Sequence, residues 1–205
     1  MIISLTGFMG CGKSSVGRRL SELLCCPFMD LDEDIETAAG KSIPEIFAED
    51  GEEAFRSLEA DRLSAALAPS HSKAAGPSPY PGVGKCQFRT SVSPHEPQLR
   101  ENAMNKGAMK VLSLGGGTVM RKECEEMVKE KTLCIYLKAS VDTLVGHLED
   151  ETAKRPMLQG ESLRERISSL MAQRSAIYEN TAHIIIDTDG RSIDEIALEI
   201  ISKIQ

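Results

Sequence analysis

The chain has 205 residues, 41% hydrophobic and 27% charged, the balance of one globular domain with a sizeable core. Its formal net charge of −7 argues against a general nucleic-acid binder, which carries a basic face, though a local basic pocket is compatible with it. No apolar run reaches the ~18 residues of a membrane helix, and the first apolar run starts too early to leave room for a signal peptide, so neither a membrane partner nor export is expected.

In chain order, "MIISLTG" is a short β-capable run that ends at a glycine. "KSSVGRRLSELL" then puts Val16, Leu20, Leu23 and Leu24 at helical spacing. "PFMDLD" reads as a second buried strand ending in acids. The stretch from Asp32 to Leu67 is helical, with breaks at Gly40 and Gly51 and a capping box at Ser42 and Glu45. "KVLSLGGG" is a third strand running into glycines, "KECEEMVKEK" a surface helix and "TLCIYL" a fourth strand. Another helix, the polar stretch "EDETAKRPMLQG", a helix over roughly Leu163 to Tyr178, a strand "HIIID" and a closing helix "SIDEIALEIISKI" complete the series. Strands alternating with helices predict a parallel sheet covered on both faces.

Pro69 to Met109 breaks this rhythm. It holds six of the nine prolines, four glycines and five serines in 41 residues without periodicity, too long for an ordinary connection in a compact domain. It reads as an inserted, largely flexible loop. Six cysteines (Cys11, Cys25, Cys26, Cys86, Cys124 and Cys134) form no C-x-x-C pair, which suits reduced thiols in the cytoplasm better than a zinc site or a disulfide framework.

Gly7 to Ser14 matches G-x-x-x-x-G-K-[ST] in full, between a predicted strand and a predicted helix. In that context backbone N–H groups curl around an anion at a helix N-terminus. The candidate nucleotide-binding residues are Gly10, Cys11, Gly12, Lys13, Ser14 and Ser15, with Lys13 reaching the β- and γ-phosphates and Ser14 holding Mg²⁺. Asp30 and Asp32 fall at the carboxyl end of the second strand, where ligands of open parallel sheets bind, and strand alternation puts both on one side. One suits the metal shell and the other an acceptor hydroxyl; the competing role for an aspartate here is a helix cap. Gly115, Gly116 and Gly117 end a strand and allow positive φ near a ligand, although the residues alone do not separate this from a flexible turn. Arg56, Arg155 and Arg174 stand out, but periodicity cannot promote a helical arginine above solvated surface. Arg155 lies between helices, in a polar segment resembling a mobile lid. The residues reach a P-loop phosphotransferase with a lid and leave its acceptor open.

The series "GFMGCGKSSVGRRL", "FMDLDEDIE", "GKSIPEIFAEDGEEAFRSLE", "LSLGGGTV", "KRPML" and "QRSAIYE" resembles the shikimate kinases in order and spacing, everywhere except Pro69–Met109. The resemblance implies a three-layer α/β/α P-loop NTPase fold of the nucleoside-monophosphate-kinase type with a five-stranded parallel sheet. It implies one kinase domain over 1–205, substrate-binding helices over about 32–61, the insert at about 69–109 and a lid at about 149–161. The implied reaction is phosphorylation of the 3-hydroxyl of shikimate by MgATP, with Mg²⁺ as cofactor and a cytoplasmic monomer as the working unit. The implied roles put Lys13, Asp32 and Arg155 in catalysis, with Asp32 on the shikimate hydroxyls. Arg56 and Arg174 clamp the shikimate carboxylate, and the Gly115–Gly117 turn receives the substrate, with the Gly116 N–H as donor. Asp30 supports Mg²⁺ through water, Arg155 reaches the ATP phosphates and Arg191 touches the adenine side. Two features depart from the family pattern: "GHLEDETAK" before the lid holds no arginine for the adenine ring, and Pro69–Met109 lies outside it. A gluconate or nucleotide kinase would not need the Asp32, Arg56, Gly116 and Arg174 set. A GTPase would need N-K-x-D, which the chain does not contain.

Overall fold

Five parallel strands, β1 (Ile2–Thr6), β2 (Phe28–Asp30), β3 (Lys110–Ser113), β4 (Leu133–Lys138) and β5 (Ile184–Asp187), form one sheet in the order β2-β3-β1-β4-β5. This is a computed structural model, and it describes residues 1–68, 109–149 and 162–204. Both faces of the central strand are covered: Ile3 and Leu5 on one side and Ser4 and Thr6 on the other are all inaccessible to solvent. A parallel sheet needs that cover, and β4 answers it with a run buried from Cys134 to Leu137. Ser4 meets its burial by pairing its hydroxyl with that of Thr132 at 2.7 Å.

The helices begin where the caps allow. α1 (Lys13–Leu24) opens directly after Gly12, whose φ of 89° belongs to the left-handed region. α2 (Leu31–Ala39) is capped by Asp30, and α3 (Ile43–Glu49) by the Ser42–Glu45 capping box, as the sequence predicts. α4 (Gly51–Leu67) follows at once. Beyond β3 come a single 3₁₀ turn (Thr118–Met120), α5 (Lys122–Lys131) and, after β4, α6 (Val141–Leu148). α7 (Leu163–Thr181) and α8 (Ile193–Ile204) complete the described residues. α1 packs against α8 and β3, while α5 packs against β4, α4 and α7, so the sheet is sandwiched between helices.

One element differs from expectation. The second strand stops at Asp30, and Asp32 lies in the first turn of α2, not on the strand. The cause is the cap: Asp30 Oδ1 accepts from the backbone N–H groups of Asp32 (3.0 Å) and Glu33 (3.5 Å) and turns the chain into a helix. Strand alternation therefore does not align the two aspartates: Asp30 is turned to the helix cap and Ser14, and Asp32 to the cleft beside Gly115.

The amino edge of β3 also carries a closure. Lys110 Nζ donates to the carbonyl of Ala66 in the last turn of α4, and Lys110 N donates to Met1 O at 3.1 Å. The two ends of the 69–109 stretch thus meet at the amino end of the sheet, away from the carboxyl ends of β1, β2 and β3. The stretch itself lies outside the described residues, apart from Met109.

Candidate active site

β1 leads into the loop Gly7–Gly12, where Gly7, Gly10 and Gly12 take φ values of 142°, 80° and 89°. These conformations fold the loop over the start of α1, so its N–H groups and the helix dipole face one spot. Leu148 packs beneath Gly10, where a Cβ would come within 2.8 Å of it. His147 Nδ1 donates to the Gly10 carbonyl at 2.8 Å, so the end of α6 braces the loop from the side of the expected lid.

Lys13 is nearly buried and donates from Nζ to the carbonyls of Gly7 and Phe8, 2.9 Å each. Ser14 Oγ donates to Asp30 Oδ2 at 2.6 Å. Asp30 therefore serves twice, with one oxygen capping α2 and the other on the serine. Cys11 is buried with its sulfur packed against Gly7. Burial pushes its thiol up, more than the nearby Lys13 charge pulls it down, so Cys11 is a packing group and offers a ligand only its backbone.

Across the cleft, α4 and α7 bring two guanidinium groups to the glycine turn after β3. Arg56 donates to Glu59 Oε2 at 2.7 Å, with a longer contact to Glu52 at 3.5 Å. Glu59, only 2% exposed, also accepts from Thr118 Oγ1 at 2.6 Å. Arg174 is 8% exposed, has its guanidinium carbon 6.0 Å from the Phe8 ring centroid and reaches the Gly116 carbonyl at 3.5 Å. Neither arginine is the solvated surface group that helical spacing alone suggests.

The three glycines are required for a different reason than expected. Among the described glycines positive φ is found at Gly7, Gly10, Gly12, Gly40, Gly51 and Gly190, not within Gly115–Gly117. What the turn needs is the missing Cβ. At Gly115 a Cβ would stand 2.6 Å from Asp32 Oδ1, and at Gly117 2.6 Å from Arg56 Nη1. At Gly116 it would stand 3.1 Å from Met9 N of the P-loop. The turn is the point where α2, α4 and the P-loop approach one another.

These groups share one cleft of about 940 Å³ at the carboxyl end of the sheet. Gly10, Gly12, Lys13, Ser14 and Ser15 line its P-loop end; Asp32, Arg56, Gly115, Gly116, Gly117 and Arg174 line the other. Phe47 and Phe55, with ring centroids 4.8 Å apart, give that second end an apolar wall. Arg191 also lines the cleft, though its guanidinium is engaged with Glu199 and the Asp187 carbonyl. Arg155 and nearly all of the expected lid at 149–161 lie outside the described residues.

Sequence reasoning missed Glu59, Tyr178 and His147. The first two had a signal, because each occupies the buried stripe of its helix: Phe55, Glu59 and Leu63 in α4, and Leu170, Arg174 and Tyr178 in α7. A polar residue on an apolar stripe is buried for a reason. His147 had none, since its contact is with a loop 137 positions away.

The chain has known relatives. The family model described as Shikimate kinase matches residues 9–74 and 83–205. The gap at 75–82 falls inside the 69–109 stretch, and the match enters that stretch from both sides. The shikimate kinase of Dictyoglomus turgidum is 38% identical over 205 residues, covering 99% of this chain and 96% of its own. That of Thermus thermophilus is 36% identical, covering 98% and 89%. Among solved structures, shikimate kinase from Acinetobacter baumannii in complex with shikimate superposes with a TM-score of 0.76 at 28% identity, over 99% of this chain and 92% of the other.

Proposed function

The chain belongs to the shikimate kinase family, and on that premise we propose that it transfers the γ-phosphate of ATP to the 3-hydroxyl of shikimate, giving shikimate 3-phosphate and ADP. The observation that carries the reading is the cleft itself. Two nearly buried guanidinium groups and the Asp32 carboxylate converge on one glycine turn, directly across from a P-loop.

Each end suits its ligand. A planar carboxylate is held best by guanidinium forks, and Arg56 and Arg174 flank the turn so as to fix the ring that bears it. The Phe47 and Phe55 wall takes the carbon face of that ring. Asp32, pressed against Gly115, holds the reacting hydroxyl and accepts its proton. At the other end Lys13 exchanges its two carbonyl acceptors for phosphate oxygens, which adds charge–charge attraction to the hydrogen bonds. Transfer between the two ends then needs mainly placement and neutralisation of charge.

The donor set beside Lys13 fits a hard divalent cation. Ser14 and Asp30 offer oxygen alone and are already 2.6 Å apart; Ser14 would hold Mg²⁺ and Asp30 would support it through water. When bound, that ion neutralises negative charge on the phosphates. By the resemblance Arg155 adds to that neutralisation and Arg191 lies on the adenine side. Cys11, Cys26, Cys124 and Cys134 are free thiols, which suits a cytoplasmic enzyme; no helix among the described residues is long and apolar enough to cross a membrane. One chain supplies both ends of the cleft, so a monomer would suffice as the working unit.

An ADP-release assay with MgATP and shikimate, quinate or gluconate tests this. Turnover with shikimate, reduced at least ~10²-fold in Lys13→Ala, is expected. Turnover with gluconate alone, or release of ADP independent of any acceptor, would overturn it.

A further inference from the structure

Tyr178 is fully buried in α7, one turn beyond Arg174, and takes no part in the chemistry described so far. Its hydroxyl donates to the carbonyl of Gly116, the same carbonyl that Arg174 reaches at 3.5 Å. The arginine contact is at the outer limit of a hydrogen bond, so the tyrosine is the strong donor. The ring cannot swing away, because it stacks on Tyr136 with centroids 5.3 Å apart and planes 30° apart. The Arg174 guanidinium also lies against the Tyr178 hydroxyl. Burial above all pushes this phenol up, and Arg174 offsets only part of that, so the hydroxyl keeps its proton and stays a donor.

We propose that Tyr178 is a positioning residue of the acceptor site: its hydroxyl pins the Gly116 carbonyl and thereby holds both the Gly115–Gly117 turn and Arg174 in register for the acceptor. Fixing that carbonyl fixes the plane of the Gly116–Gly117 peptide, which no side chain within the turn can do. The same turn abuts Asp32 at Gly115, Met9 at Gly116 and Arg56 at Gly117. A loosened peptide there moves every acceptor-binding group at once. At the other end Lys13 holds the carbonyls of Gly7 and Phe8 and Ser14 holds Asp30, contacts that Tyr178 does not make; the P-loop touches the turn chiefly at Met9. This inference rests on the shikimate kinase reading for its substrate, but not for the restraint on the turn.

Tyr136 supplies the control. Its ring is equally buried and stacks on Tyr178, yet its hydroxyl has no hydrogen-bond partner among the described residues. The experiment compares wild type, Tyr178→Phe and Tyr136→Phe in steady-state kinetics and in amide hydrogen exchange of the ligand-free enzyme. For Tyr178→Phe, the shikimate KM should rise about five- to thirty-fold, the penalty of a buried carbonyl losing its donor, with kcat and ATP KM within about threefold. Exchange over 113–118 should quicken while the start of α1 over 12–16, away from the turn, stays as in wild type. Tyr136→Phe should change neither. An unchanged shikimate KM in Tyr178→Phe, an equal rise in the ATP KM, or the same shift in Tyr136→Phe would overturn the assignment. A wild type that is inactive with shikimate would overturn the kinase reading instead, and the exchange over 113–118 would then decide the role of Tyr178 alone.

Discussion

Glu59 holds a carboxylate 2% exposed between two donors, Arg56 at 2.7 Å and Thr118 Oγ1 at 2.6 Å, while its other flank touches Gly115. A charge in such a place persists only because it is paired and hydrogen-bonded. Its removal leaves Arg56 with the 3.5 Å contact to Glu52 and leaves the Thr118 hydroxyl without its acceptor. Glu59→Ala is therefore expected to cost about 2–3 kcal/mol of stability, below the range for a fully buried pair because Arg56 is partly exposed. It should raise the shikimate KM by at least about tenfold, since the carboxylate clamp loses its anchor. Urea unfolding and steady-state kinetics check both; a wild-type shikimate KM would mean Arg56 is aimed by something else. The sequence shows Arg56 and Glu59 three apart on a helix, a spacing that usually makes a weak surface pair. Only the glycine turn laid over them makes the pair an interior one.

At the scale of elements, the junctions place the chemistry. The P-loop is held between the start of α1 and the end of α6, through His147 on Gly10 O and Leu148 under Gly10. The β2–α2 junction is fixed by Asp30, which caps the helix and receives Ser14 with the same carboxylate. At the opposite edge of the sheet, Lys110 on the Ala66 carbonyl brings the ends of the 69–109 stretch together without that stretch's help. Closing them with a short chain costs little, because loop entropy changes slowly with length. Replacing Pro69–Met109 by a short Gly/Ser linker is expected to leave kcat and both KM values within a few-fold of wild type. A variant that folds by circular dichroism yet has lost activity would show that the stretch takes part in the site.

For the whole molecule, the sheet order β2-β3-β1-β4-β5 sets β1 between β3 and β4, and the crevice opens at its carboxyl end where connections leave in opposite directions. On the proposed reading, nucleotide and metal would contact the P-loop after β1, α1 and the β2–α2 junction together, so their binding energy would oppose global unfolding. MgATP at ~100 times its Kd adds about 2.7 kcal/mol, a rise of roughly 5–10 °C in Tm for a domain of this size. Chelating the metal should abolish most of that rise, because Ser14 and Asp30 then no longer share the load with Lys13. Differential scanning fluorimetry with ATP, with and without EDTA, reads this directly; equal shifts in both arms would rule out a metal at Ser14 and Asp30.

The sequence by itself determined the P-loop, the five strands, the alternation with helices and the Ser42–Glu45 cap, because each depends on neighbours a few residues apart. It also carried the order of motifs that marks the family. It did not determine that β2 ends at Asp30, since a strand of acids and a capped helix share the same letters until a carboxylate is seen to cap. Nor did it determine why Gly115–Gly117 are glycines: that reason is the space claimed by Asp32, Arg56 and Met9 from three other elements. The burial of Arg56, Glu59, Arg174 and Tyr178 is likewise a tertiary fact. Local periodicity says which face of a helix turns inward, and only the packed fold says whether that face meets core or cleft.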